Sequence, residues 1–155
     1  MFSSSYRNSP VPGLLVQVSG TVIAISLFFM NSTISILVVD DDPVACALLK
    51  ETLLTESYLV DTAINGLEAL QTIREGNYDL LITDFIMPLL DGLSLLIKAK
   101  AELPNLQVIL MTASRQEVIL IEAKRQGADA VIPKPIEMKK LLKIIKNILQ
   151  TQRIK

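Results

Sequence analysis

The chain has 155 residues, 50% of them hydrophobic and 20% charged, with 15 basic against 16 acidic side chains. That length and composition suit one ordinary domain with its own core and exclude a disordered tail, while the near-neutral balance gives no global basic field for nucleic acid. Histidine is absent, which removes Ser-His-Asp and Cys-His catalysis, histidine-ligated metal and any phosphohistidine on this chain.

Taken in order, the first stretch is anomalous. No charged residue occurs from Asn8 to Val39, and "GLLVQVSGTVIAISLFFM" (13–30) approaches the roughly 20 residues of a membrane span. A membrane reading places Arg7 outside and finds no Lys or Arg after the segment until Lys50, against the positive-inside rule; Gln17, Ser19, Gly20 and Thr21 weaken its hydrophobicity. The alternatives are a start at Met30, giving "MNSTISILVVDDD", or a packed or disordered appendage. Residues 1–33 are therefore read as a hydrophobic extension, with membrane contact confined to residues 13–30, and residues 34–155 as the folded domain.

From Ile34 onward strands and helices alternate. Strands are predicted at 34–40, 58–64, 78–84, 106–113 and 128–133, and helices at 43–56, 66–75, 92–102, 115–126 and 136–152, separated by "NG", "EGN", "LPN" and "QGAD". Most strands are continuous apolar runs, the mark of parallel strands covered on both faces. The second carries Asp61 and Thr62 and is the edge strand. The expected fold is α/β: a flavodoxin-like, doubly wound, five-stranded parallel sheet of order 2-1-3-4-5 with five helices, a three-layer αβα sandwich. Cys46, the lone cysteine, is read as a small helix residue. The last helix carries Met138, Leu141, Leu142, Ile145, Ile148 and Leu149 on one stripe and Lys139, Lys140, Lys143 and Lys146 elsewhere, a docked helix with a solvated basic face.

In such sheets ligands bind beyond the carboxyl ends of the strands. Asp40 and Asp41 end the first strand, Asp84 the third, Thr112 the fourth and Lys134 the fifth. Clustered carboxylates raise one another's pKa unless a cation neutralises them, and Mg²⁺ is the hard oxygen-seeking ion suited to one or two carboxylates plus phosphate oxygens. A carboxylate nucleophile, a metal, a lysine and a hydroxyl together meet the needs of phosphoryl transfer. Asp42, followed by Pro43, reads differently, as an N-cap with proline at the first helical position.

"VVDD", "LLITDFIMPLLDG", "VILMTA" and "KP", in that order and spacing, resemble the receiver domain of two-component response regulators, over nearly all of residues 34–152. The resemblance implies that Asp84 is the phosphoacceptor. It also implies that Asp40 and Asp41 support Mg²⁺, with Asp41 the more direct ligand, that the Ile86 carbonyl completes the protein's share of coordination, that Thr112 binds the phosphoryl group, and that Lys134 pairs with Asp84. The Lys134–Pro135 peptide is then expected to be cis. The implied donor is a sensor histidine kinase or histidine phosphotransfer protein, acting in the cytoplasm, and the implied output is a contact with a downstream protein. The first helix and the loop after Lys134 are the expected docking surface, and the fourth helix, fifth strand and fifth helix the expected output surface.

Three positions depart from the pattern. Val131 stands where receivers often carry an aromatic residue, which puts the usual rotamer coupling in doubt; Ile86 and Ser114 occupy positions that tune the phosphoryl lifetime, and apolar Ile86 favours slow self-dephosphorylation. Two rival readings stand beside the receiver: a haloacid dehalogenase-type phosphohydrolase with its nucleophile at Asp40, which would need a further acidic pair that does not follow Lys134, and a degenerate receiver used only for interaction.

Overall fold

The computed structural model describes residues 16–18, 21–23, 33–114 and 116–152. The chain divides into two compact units, residues 1–32 and 33–155. Within the first, Val16–Val18 and Thr21–Ile23 are short strands paired antiparallel. The described part of the stretch considered for a membrane helix is therefore strand; the rest of 13–30, and Met30 itself, lie outside the described residues. Among the described residues no helix is long and apolar enough to cross a membrane.

The second unit runs β1 (Ser35–Val39), α1 (Pro43–Thr55), β2 (Leu59–Ala63), α2 (Gly66–Glu75), β3 (Leu80–Asp84), α3 (Gly92–Glu102), β4 (Gln107–Thr112), α4 (Glu117–Arg125), β5 (Ala130–Pro133) and α5 (Met138–Gln152). The sheet order is β2-β1-β3-β4-β5 and every pairing is parallel, as the apolar runs require. Every residue of β1 and β3 is buried, whereas β2 exposes Leu59 and Asp61, as expected at an edge. The observed elements are shorter than the predicted ones by one or two residues at several ends, most visibly α4 and α5, which start at Glu117 and Met138.

Strand alternation divides the core between two faces. Leu37, Val39, Leu81, Val108 and Leu110 pack with Ala69, Ile73, Leu95, Leu96, Ala99 and Ala123 from α2, α3 and α4. Their neighbours Ile36, Val38, Ile82, Ile109 and Met111 pack with Cys46, Leu49 and Leu53 of α1 and Leu141, Ile145 and Leu149 of α5. At about 25 cal/mol per Å² of apolar surface removed from water, these two layers are the main source of stability. The stripe read on α5 thus faces the sheet, and Lys139, Lys140, Lys143 and Lys146 stay exposed, Lys146 pairing with Glu56 at 2.7 Å.

Helix starts are fixed by local side chains that satisfy free backbone N–H groups. Asp42 accepts from Val44 N at 2.9 Å with Pro43 at the first position, as the sequence indicates. Asn65 accepts from Glu68 N at 2.9 Å while Glu68 accepts from Ile64 N at 3.1 Å, a reciprocal arrangement that resembles a capping box. Asp91 accepts from Ser94 N at 2.8 Å. Gly66 is required because a Cβ there would run into the carbonyl oxygen of Leu90, on the loop after β3.

That loop contains a strained residue. Leu89 has φ 69°, the left-handed region that costs a side-chain-bearing residue about 1–2 kcal/mol, and its side chain is 76% exposed, so packing recovers little. Leu89→Gly relieves the strain at some cost in unfolded-chain entropy, and urea unfolding is expected to show a net gain of about 0.5–1 kcal/mol.

Candidate functional site

The carboxyl ends of β1, β3, β4 and β5 meet at one rim. Parallel register aligns them: Asp84 lies opposite Met111, and Thr112 opposite Pro133. Backbone bonds carry the alignment past the strands, with Phe85 N donating to Met111 O and Lys134 N donating to Thr112 O, each at 2.8 Å. The Lys134–Pro135 peptide is cis, as expected.

Lys134 is the centre of the site. Its ammonium lies 2.9 Å from Asp40 Oδ2 and 3.2 Å from Asp84 Oδ2, so it bridges two carboxylates, both buried. The other oxygen of each is also engaged: Asp40 Oδ1 accepts from Asp42 N at 3.0 Å and Asp84 Oδ1 from Phe85 N at 2.8 Å. Asp41 is exposed, but each of Asp40, Asp41 and Asp84 offers an oxygen within 4.8 Å of the others. One ammonium against three carboxylates leaves the rim anionic, and the donors are all hard oxygens. The residues present therefore fit a divalent cation of the Mg²⁺ type, which suits a set of carboxylate oxygens that also leaves room for water and phosphate.

Burial dominates the electrostatics of Asp84 and holds its carboxyl above the ordinary aspartate range, with the hydrogen bond and charge of Lys134 working in the opposite direction. Burial likewise works against the charge of Lys134, but its bonds to Asp40 and Asp84 prevail and raise it above the usual lysine value. The two directions are compatible: the lysine stays charged, and the more costly ion to maintain is the Asp84 carboxylate.

Thr112 is fully buried and its hydroxyl accepts from Ser114 N at 3.0 Å, while that hydroxyl makes no hydrogen bond to the Asp84 or Lys134 side chain. It stands at the neighbouring strand end and does not belong to the bridged trio. The Ile86 side chain is 66% exposed, beside the site on the loop after β3. Val131 is half-buried against the α2-α3-α4 layer.

Two contributors escaped the sequence reading. Gly92, the last residue of "LLITDFIMPLLDG", backs directly onto the end of β3: its N–H donates to Phe85 O at 2.9 Å, and a Cβ there would collide with the Asp84 carbonyl oxygen. The second is the Lys134–Asp40 pair, shorter than the anticipated Lys134–Asp84 contact.

A doubly wound α/β domain with a lysine-bridged aspartate cluster at its switch point is a class of site suited to phosphate and a divalent cation. Comparison with known proteins narrows that class. The family model of the response regulator receiver domain matches residues 36–146. A "Transcriptional regulatory protein CpxR homolog" of Haemophilus influenzae is 38% identical over 115 residues, 74% of this chain and 50% of that protein. A "Probable transcriptional regulator ycf29" of Porphyra purpurea is 33% identical over 117 residues, 74% of this chain and 56% of that protein. Among solved structures, a CheY-like response regulator receiver domain protein from Methanospirillum hungatei aligns with TM-score 0.76 at 32% identity, covering 78% of this chain and 97% of that one. The response regulator TrrA of Thermotoga maritima, solved in complex with Mg²⁺-BeF, aligns with TM-score 0.69 at 36% identity, covering 75% and 99%.

The chain belongs to the response regulator receiver domain family. It spans about half the length of these two curated relatives. The comparisons give no support to the phosphohydrolase alternative.

Gly92→Ala provides a test of the local geometry. Forcing a methyl against the Asp84 carbonyl is expected to cost about 1–3 kcal/mol in urea unfolding, because the end of β3 must shift.

Proposed function

We propose that Asp84 accepts a phosphoryl group from a phosphohistidine on a partner protein and that the domain acts as a phosphorylation switch or relay intermediate. The observation that carries this reading is the Lys134 ammonium bridging Asp40 and Asp84 beside Asp41, within one oxygen cluster. An Asp84 carboxylate oxygen attacks the donor phosphorus, the P–N bond breaks, and the imidazole leaves with its electron pair while an acyl phosphate forms on Asp84. Water later cleaves that acyl phosphate, releasing inorganic phosphate and returning the carboxylate. Asp40, Asp41, Asp84 and the Ile86 carbonyl would hold Mg²⁺, which supplies charge neutralisation for the phosphoryl oxygens. Lys134 keeps a positive charge at the position where phosphoryl oxygens would arrive, and Thr112 would exchange its bond to Ser114 N for one to the new dianion.

With no histidine of its own, the chain takes the acceptor side of the transfer. Its donor would be a sensor histidine kinase or a histidine phosphotransfer protein in the cytoplasm. Docking would use α1 and the loop after Lys134, which border the site, and output would use α4, β5 and α5 toward a downstream protein. Residues 1–33 would form a separate extension ahead of a receiver at 34–155. Val131 offers no ring to swing inward, so the change on phosphorylation would pass through the backbone of β4 and β5. This domain's own near-neutral charge does not favour nucleic-acid contact.

Acetyl phosphate with Mg²⁺, followed by borohydride reduction and peptide mass mapping, tests the assignment. Label is expected on Asp84 and is expected to vanish in Asp84→Asn; label on Asp40, or none on the wild type, contradicts it. Ile86 presents no hydrogen-bonding group to an attacking water, so Ile86→Asn is expected to shorten the acyl phosphate half-life severalfold, measured as loss of radiolabel after removal of donor.

A further inference from the structure

Asp41 is the member of the oxygen cluster that has no side-chain anchor. It is exposed, and its carboxylate makes no hydrogen bond or ion pair with a described residue, whereas Asp40 and Asp84 are each held twice. Its place in the cluster is therefore set by the backbone on either side of it. On the far side, Asp42 N donates to Asp40 Oδ1 at 3.0 Å. On the near side, the peptide joining Asp40 to Asp41 is held through its carbonyl oxygen, which accepts from the Cys46 thiol at 3.3 Å in buried surroundings. The same sulfur lies 3.7 Å from Ala63 O, which also accepts Asp40 N at 3.3 Å, and Cys46 N donates to Asp42 O at 3.0 Å. One side chain in the first turns of α1 thus connects the ends of β1 and β2 to the peptide whose plane aims Asp41.

We propose that Cys46 is a positioning residue for the cation site, acting through Asp41 by holding the Asp40–Asp41 peptide with its thiol. The inference rests on the reading of the aspartate cluster as a divalent cation site. A thiol is a weak donor, but the carbonyl it serves is buried, and an unmet buried acceptor is costly enough to turn the peptide toward another donor or water. Such a turn moves an exposed, unanchored carboxylate more readily than either of the two carboxylates held by Lys134.

Packing and positioning rank replacements differently. Alanine and valine bracket the cysteine volume and lack a donor, while serine keeps a donor in an apolar pocket. A purely packing role gives serine no advantage; a positioning role makes it the best of the three for Mg²⁺. The test is calorimetric Mg²⁺ titration of the full chain as wild type, Cys46→Ser, Cys46→Ala and Cys46→Val, with urea unfolding of each in EDTA. Serine is expected to bind Mg²⁺ within about 2-fold of wild type and alanine and valine about 3- to 10-fold more weakly, whatever the order of their urea midpoints. Wild-type affinity in the alanine and valine variants, or a loss in serine equal to theirs, overturns the proposal. A wild type that binds no Mg²⁺ overturns the cation-site reading beneath it, an outcome distinct from equal affinities across the series.

Discussion

Two buried carboxylates drawn to one lysine are the constraint on which the rest of the site depends. Asp40 and Asp84 come from different strands, are both nearly removed from water, and share the ammonium of Lys134. An isolated buried carboxylate costs several kcal/mol, so the fold tolerates this pair only because the residue after β5 delivers a cation between them and a backbone N–H engages the other oxygen of each. The compensation is incomplete. Burial still holds Asp84 above its ordinary pKa despite the lysine, and the additional exposed carboxylate of Asp41 leaves the rim anionic. That residual deficit of positive charge is what the proposed divalent ion would fill.

The sheet serves this constraint through order and register. Placing β1 and β3 side by side at its centre brings Asp40 and Asp84 to the same end, and the parallel pairing of β3 with β4 and β4 with β5 brings Thr112 and Lys134 to that rim without any long loop. The helices contribute on two levels. Their apolar faces fix the sheet, and their first turns reach back to the site: Asp42 caps α1 while its N–H holds Asp40, and Gly92 at the start of α3 lies flush against Asp84. The strained Leu89 sits between β3 and Gly92, where the chain must turn sharply to return to that close approach.

Much of this is legible in the sequence because it is written in short-range patterns. Continuous apolar runs announce buried parallel strands, the Asp42-Pro43 pair announces a helix start, and polar residues at the ends of four such runs must meet once the strand order is given. What could not be read concerns contacts between residues far apart in the chain or chemically unremarkable by themselves. Lys134 and Asp40 are 94 residues apart, and their pairing depends on how far the ammonium reaches across the ends of β4 and β3. Cys46 looks like any small core residue until its sulfur is seen beside the Asp40 carbonyl. Gly92 carried a faint signal, a glycine immediately after the helix-capping Asp91, yet the absence of a Cβ matters only because Asp84 lies behind it. The membrane question for residues 13–30 was open in the sequence, and the short strands at Val16–Val18 and Thr21–Ile23 do not match the helix such a span requires.

Asp84 is a buried carboxylate short of positive charge, which the proposed divalent cation would complete. Carbon-detected NMR titration of the Asp84 carboxyl, first in EDTA and then with Mg²⁺, tests it most directly. The sign follows from the physics: burial raises the folded pKa above the unfolded value, so in EDTA this group's contribution to stability is fully present below the unfolded pKa and is lost as pH rises through the folded pKa. Mg²⁺ favours the ionised form and must pull that pKa down. Asp84 is expected to titrate above the ordinary aspartate range in EDTA and to fall markedly with Mg²⁺; an ordinary pKa that Mg²⁺ leaves unmoved would rule out a cation site at this carboxylate.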